Sequence, residues 1–179
     1  GCKSAPITRQ VTVIATPEPN FVNTGDDAFC IGGQTVLETT DFPGFSRQWN
    51  LNGSPAGETG TSLTVDATGV VTLTLTSQTN TACSSTGESL VINEVERPTP
   101  TISAASEICT DLPLALSTTV SGASEYNYTY AWDVQDDASS TILTGTTDNL
   151  EVTFTSAGIY TANLTVGFEL VSNCTTTID

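Results

Sequence analysis

An internal repeat of alternating apolar and polar residues is the feature that most limits what this chain can fold into. The alternating positions of its second copy are Leu150, Val152 and Phe154, then, after the turn at 156–158, Tyr160, Ala162, Leu164 and Val166. The first copy spans residues 62–76, where Gly69 separates two alternating runs. A period of two is typical of strands with one buried face. Because a short Gly-containing turn joins each pair of runs, the pattern predicts the same β-hairpin twice.

The hairpin belongs to a longer repeat that reads cysteine, strand, tryptophan, hairpin, cysteine. Its markers are Cys30, Trp49 and Cys83 in the first copy and Cys109, Trp132 and Cys174 in the second. Asn52–Gly53 adds a strong turn signal after the first tryptophan. Several short strands separated by turn signals predict an all-β fold of two tandem antiparallel β-sandwiches. We expect each tryptophan to fill the centre of its sandwich.

The repeat also predicts the domain boundaries. Cys2 precedes Pro17 by 15 positions, and Cys83 precedes Pro98 by the same 15. Residues 1–16 are therefore predicted to be the terminal strand of a preceding repeat, with the strand itself at 10–14. Residues 17–97 are predicted to form one β-sandwich, and residues 98–179 are predicted to form a second that lacks most of its last strand. The Pro-x-Pro segments are predicted linkers.

The spare strand and the missing strand allow two explanations. Either the sequence is a fragment cut from a repeat array, or the spare strand of one molecule completes the next by β-augmentation. The chain contains no Met, so we expect a piece of a longer or processed protein.

The charge of the chain argues against several classes of function. Four Lys and Arg residues face twenty Asp and Glu residues, which gives a net charge of −16 at pH 7, and there is no His. No basic face for nucleic acid can be built, binding to an anionic membrane surface is disfavoured, and no apolar run is long enough for membrane insertion. Without His, the usual catalytic triads are unobtainable, so we expect no enzyme activity and no cofactor.

The cysteines predict disulfide bonds. Four cysteines allow three connectivities, and the repeat favours Cys30–Cys83 and Cys109–Cys174, because each bond then stays inside one domain. Cys2 is left for an upstream partner. Disulfides indicate an oxidising, extracellular compartment.

Three acidic residues surround one turn of the second repeat, Asp133, Asp136 and Asp137. Oxygen ligands on loops are what Ca²⁺ uses, so these residues are candidates for a calcium site. The alternative is ordinary turn chemistry, because Asp favours turns.

Both repeats resemble known families. The second, with Trp132–Asp133 followed by Gly158, Tyr160, Leu164 and Val166, resembles a polycystic-kidney-disease-type (PKD) domain, although that family's G-D-G loop is absent. The first resembles bacterial Ig-like repeats. Its matching residues are Cys30, Gly32, Val36, Trp49, Asn52–Gly53 and Cys83–Ser84. The resemblance implies a cell-surface adhesin of Bacteroidota, of the kind that includes gliding-motility adhesins exported by the type IX system.

Three functions therefore remain open. The first is a stalk or adhesive repeat of a large surface protein, whose partners are neighbouring repeats and a surface glycan or protein. The second is a subunit of an extracellular fibre joined by strand complementation. The third is a glycan- or protein-binding module of a secreted enzyme, which predicts an exposed aromatic platform. The candidates for that platform are Phe42, Phe45, Tyr126 and Tyr128.

Overall fold

The computed structural model describes residues 4–179 and contains strands but no helix within that range. The strands form two β-sandwiches in tandem, which confirms the predicted fold class. Cys2 lies outside the described residues, as does its predicted upstream pairing.

The first sandwich consists of a three-stranded sheet packed on a six-stranded sheet. Its strands are β1 (Val22–Asn23), β2 (Ala28–Cys30), β3 (Thr35–Glu38), β4 (Phe45–Leu51), β5 (Ser54–Pro55), β6 (Ser62–Val65), β7 (Gly69–Ser77), β8 (Ser84–Thr86) and β9 (Leu90–Val95). The small sheet has the order β1-β3-β6, and the large sheet has the order β2-β9-β7-β4-β5 with β8 also paired to β7. The last strand position beside β7 is thus filled in two segments, β8 and β9.

The second sandwich repeats this plan. Its strands are β10 (Thr99–Ser103), β11 (Pro113–Ser121), β12 (Tyr128–Gln135), β13 (Thr141–Gly145), β14 (Asn149–Thr153), β15 (Thr161–Phe168) and β16 (Val171–Ile178). One sheet has the order β10-β11-β14, and the other has the order β13-β12-β15-β16. The repeat predicts that this sandwich lacks most of its last strand, whereas β16 runs for eight residues from Val171 to Ile178 and pairs with β15.

Each tryptophan lies at the centre of its domain, as predicted. Trp49 is fully buried and Trp132 is 2% exposed. Each indole N–H donates to a backbone carbonyl, of Gly60 at 3.1 Å and of Thr147 at 2.9 Å respectively. A buried indole thereby fills the space between the sheets without leaving its polar group unpaired.

The prediction of two β-hairpins at these positions is wrong. β6 pairs with β3 while β7 pairs with β4, and β14 pairs with β11 while β15 pairs with β12. In each domain the chain therefore crosses from one sheet to the other. The alternation of apolar and polar residues could not reveal this crossing, because strands of both sheets turn their apolar faces to the same core. The Asn52–Gly53 hairpin is confirmed: both residues have positive φ, and β4 pairs with β5 across them.

Both predicted disulfide pairings are also wrong, because the structure bonds Cys30 to Cys174 across the two domains. Cys30 lies beside Val95, at the Gly69 end of β7, whereas the backbone of Cys83 bonds Ser77 at the other end. β7 is nine residues long, so about 25 Å separates its ends, far beyond the Cα separation that a disulfide spans.

Cys109 and Cys174 are separated in the same way. Cys174 lies on the strand beside Phe168, at the end of the second domain that meets the first. Cys109 lies two residues before Asp111, whose N–H donates to Phe154 at the opposite end. Among the described residues, Cys83 and Cys109 therefore remain thiols.

Candidate functional site

The joint between the two sandwiches is the most elaborate site in the described part of the chain. It has its own apolar cluster, separate from both domain cores. The buried members come from both domains: Ala28, Cys30, Val95, Phe168, Val171 and Cys174. We call this set of residues the joint cluster.

The joint cluster forms because β2 and β9 run in parallel just before the linker. Cys30 pairs with Val95 in this ladder, and the N–H of Ile31 donates to the carbonyl of Val95 at 2.9 Å. The chain then passes through Pro98 into β10, which contacts β16. Three residues after Val95, the rigid Pro98 carries the second domain directly against the end of β2.

Two polar contacts hold the same joint. Asp26 accepts hydrogen bonds from the backbone N–H and from the hydroxyl of Ser172, both at 2.8 Å. The Arg97 guanidinium donates to the backbone carbonyl of Thr175 at 3.2 Å. Bonds in which one partner is charged are the stronger ones, so these contacts fix the orientation of the second domain.

The disulfide completes the joint. Cys30 is 5% exposed and Cys174 is fully buried, so a reductant reaches the bond with difficulty. The bond joins residues 144 positions apart, and in the chain-entropy model a loop of that length contributes about 5 kcal/mol to stability. The cross-link therefore converts two adjacent sandwiches into one covalently closed unit.

The aromatic platform predicted for a binding module is absent at the four positions named for it. Tyr126 and Tyr128 pack on Phe168 of the joint cluster, with ring centroids 5.6 and 5.4 Å away. Phe42 and Phe45 pack against the core of the first domain. All four rings are half-buried, so they serve packing at these positions.

The acidic turn of the second domain is held mainly by hydrogen bonds between Asp136 and the backbone of the turn. Asp136 accepts bonds from the N–H groups of Ala138 and Ser140, at 3.0 and 2.8 Å. Asp133 accepts a bond from Gln135 at 2.5 Å through one oxygen, while its other oxygen is buried without a partner. Residues 4–179 hold no group of three or more potential metal ligands. Calcium at Asp133, Asp136 and Asp137 stays a prediction.

Burial raises the pKa of the Tyr130 phenol, and the Asp148 carboxylate and Tyr128 raise it further. The ring of Tyr130 packs against the core of the second domain.

Sequence reasoning missed the joint, although one signal was present. Repeated cysteine spacing is compatible with bonds within a repeat, and equally with bonds from each repeat to the next. The polar contacts of the joint involve Asp26, Arg97 and Ser172. These residues belong to no sequence motif that would have predicted the contacts.

Comparisons with known proteins agree with this architecture. Residues 95–178 match the PKD domain family. None of the curated proteins matches the chain in sequence. Among solved structures, the fibronectin(III)-like modules of Clostridium thermocellum CbhA share 11% identity with a TM-score of 0.53, over 89% of this chain and 90% of that one.

Two further structures have lower scores. They are three N-terminal domains of the bacteriophage RB49 Highly Immunogenic Outer Capsid protein (19% identity, TM-score 0.46, 89% of this chain) and the ectodomain of mouse nectin-like molecule 4 (15% identity, TM-score 0.37, 90% of this chain). The chain spans 57% and 62% of their lengths. Between residues 4 and 179, no helix is long and apolar enough to cross a membrane.

Proposed function

We propose that this chain is a structural segment of a large extracellular bacterial surface protein, in which tandem sandwiches act as a stiff stalk or adhesive repeat. The observation that carries the proposal is the disulfide between consecutive domains. Neighbouring domains normally move relative to one another unless their interface is large and apolar. Here a covalent bond, an apolar cluster and two charged contacts restrict that motion.

The same bond supports the proposed compartment. Disulfides persist in oxidising surroundings, so the proposal places the chain outside the cell, at the cell surface. A net charge of −16 keeps neighbouring molecules apart. The sequence resemblance supports adhesion or gliding in Bacteroidota, with a surface glycan or protein as the ligand, and the proposal includes neither enzyme activity nor a cofactor.

The rigidity of the joint can be tested by small-angle X-ray scattering. The wild-type chain is compared with C30S/C174S, and C83S/C109S serves as a control that also loses two sulfurs. We expect the wild type and the control to give one narrow distribution of interatomic distances, and C30S/C174S to give a broader one. Equal breadth in all three proteins would contradict the stalk proposal.

A second candidate is a fibre subunit. Residues 4–16 pair with no strand in the described chain and are exposed throughout. Four large apolar residues in this segment face solvent, Ile7, Val11, Val13 and Ile14. An exposed apolar segment of this kind favours a partner.

A further inference from the structure

We propose that one lateral edge of the second sandwich binds an extended segment of a partner protein in which apolar and basic side chains alternate, and that this segment pairs with β14 as an added strand. The inference rests on the adhesive role proposed above and deepens it by naming the chemistry of the partner. We call the opening between β13 and β14 the lateral cleft. It is lined by residues 136–137, 142–143 and 151–160.

The lateral cleft is a cavity of about 680 Å³ with an apolar floor. β13 and β14 approach each other at one end, where Leu150 packs against Gly145, and the cleft opens beyond that contact. The rings of Phe154 and Tyr160 stack in its lining with centroids 4.1 Å apart, and Leu143 lines the same cavity. These three side chains are half-buried, so the floor offers apolar surface to a ligand.

The backbone of β14 presents unpaired groups to the lateral cleft. The N–H of Thr118 in β11 donates to the carbonyl of Asp148 at 3.2 Å. Because bonded and non-bonded pairs alternate along an antiparallel ladder, this bond places the N–H and C=O groups of Glu151 and Thr153 on the side away from β11. Within residues 4–179, β14 pairs with β11 alone, so these groups are available to an added strand.

The first sandwich covers the equivalent edge, which is that of β6. Leu63 of β6 and Leu150 of β14 each lie opposite a buried leucine of the neighbouring strand, so Thr64 aligns with Glu151. The outward N–H of Thr64 donates to the carboxylate of Glu58 at 3.3 Å. The connection that carries Glu58 is longer than the one from β13 to β14, which supplies no such group in the structure. The edge of β14 therefore stays open where its counterpart is bonded.

The lateral cleft lies on the side of the sandwich away from β16. β13 and β16 are the two edges of one sheet, and in the other sheet β14 lies at the edge opposite to β10, which contacts β16. A strand that continues from β16 would therefore run across the sandwich from the cleft. A domain docked as at the joint would leave the cleft free as well, because residues 66–68, which align with 153–155, are exposed although the second sandwich is docked on the first.

The charge of the lateral cleft indicates what binds there. Asp136, Asp137 and Glu151 form an acidic rim, and none of the described residues that line the cleft is basic. Successive side chains of an added strand point to opposite faces. One set enters the cleft over Leu143 and Phe154, and the other set lies beside Glu151, where a positive charge directly across the strands is favourable. The partner segment therefore alternates between apolar and basic residues.

A second copy of the chain is a poor occupant of the lateral cleft. Each copy has a net charge of −16 and only four Lys and Arg residues in 179. Two such molecules repel each other, and the acidic rim would add to that repulsion. A basic segment of a different protein instead gains from the same charge, both in its rate of encounter and in specificity.

The test uses the intact 179-residue chain and a fluorescein-labelled peptide of four Lys-Val repeats, with binding followed by fluorescence anisotropy. A second peptide of the same sequence is N-methylated at every residue, so it keeps its charges and side chains but has no N–H to donate. We expect saturable binding of the first peptide and binding about tenfold weaker for the methylated one, because main-chain bonds supply much of the affinity of an added strand.

Two variants and one control test the edge and the rim separately. Thr153→Pro removes an outward N–H, which proline tolerates on an edge strand, and should weaken binding about tenfold. D137N/E151Q removes two charges of the rim and should have a similar effect. E88Q/E96Q removes two exposed charges of the first sandwich and should bind like the wild type. Circular dichroism of each variant confirms that the sandwiches are folded.

Hydrogen exchange of the complex locates the peptide. Slower exchange of the Glu151 and Thr153 amides on peptide binding supports the inference. Absence of binding, equal binding of the methylated peptide, or equal losses in D137N/E151Q and E88Q/E96Q would overturn it, since any attraction would then be general to an acidic chain.

A second copy is tested without peptide. Protection of the same two amides that grows with the concentration of the chain alone would assign the edge to self-association and would also overturn the inference. A narrow scattering distribution from the wild type would leave the stalk proposal standing in each of these cases.

Discussion

One pair of residues, Cys30 and Cys174, determines how the two domains are linked. The tryptophans and the Asn52–Gly53 turn could be predicted, because each has a local physical cause: a large ring needs a core, and this dipeptide tolerates positive φ. The cysteine pairing could not be predicted. Because the cysteines recur in each repeat, the same cysteine positions are compatible with bonds within a repeat and with bonds from one repeat to the next.

Removing the joint disulfide should lower stability. The cross-link restricts the unfolded chain, so C30S/C174S should melt roughly 10 °C lower than the wild type. C83S/C109S, which removes two thiols that form no bond in the described chain, should melt within about 2 °C of the wild type. Differential scanning calorimetry without reductant measures both. Equal losses in the two variants would mean that the bond does not stabilise the fold.

At the scale of strands, the sequence pattern could predict which residues form strands, but it could not predict which strands pair with one another. The alternating run at 62–76 contains β6 and most of β7, and the run at 150–166 contains most of β14 and β15. The runs that precede and follow Gly69 are also strands, yet they belong to opposite sheets. A short turn can close a hairpin or cross a sandwich, and the side-chain alternation is the same in both.

The alternation along β7 gives a matched pair of substitutions. Leu73 is fully buried and Val70 is 41% exposed on the same strand. Leu73→Ala should reduce the free energy of unfolding of the first domain by about 3 kcal/mol, because it leaves a cavity. Val70→Ala should change it by no more than about 0.5 kcal/mol. Urea titration followed by tryptophan fluorescence distinguishes them, and similar losses would contradict the assigned core.

At the scale of the molecule, repulsion dominates the electrostatics. The net charge is −16, and within residues 4–179 the one ion pair is Arg47–Asp41, at 2.6 Å on the surface. Such exposed pairs contribute little, while self-repulsion destabilises a compact state.

Salt should therefore stabilise the fold. The screening length falls from about 30 Å at 0.01 M to about 8 Å at 0.15 M ionic strength. We expect the melting temperature to rise by a few degrees over this range, equally in sodium and potassium chloride. A melting temperature that does not change, or that depends on the cation, would argue against general screening as the cause.

The joint disulfide also determines which part of the chain can bear tension. A force applied to the two ends is transmitted from residue 30 directly to residue 174 through the sulfur atoms. The segment between these two residues therefore bears no tension. The bypassed segment of 144 positions has a contour length of about 500 Å when extended. Pulled from its ends, the oxidised molecule would release almost none of that length even if both sandwiches unfolded, and reduction would release all of it.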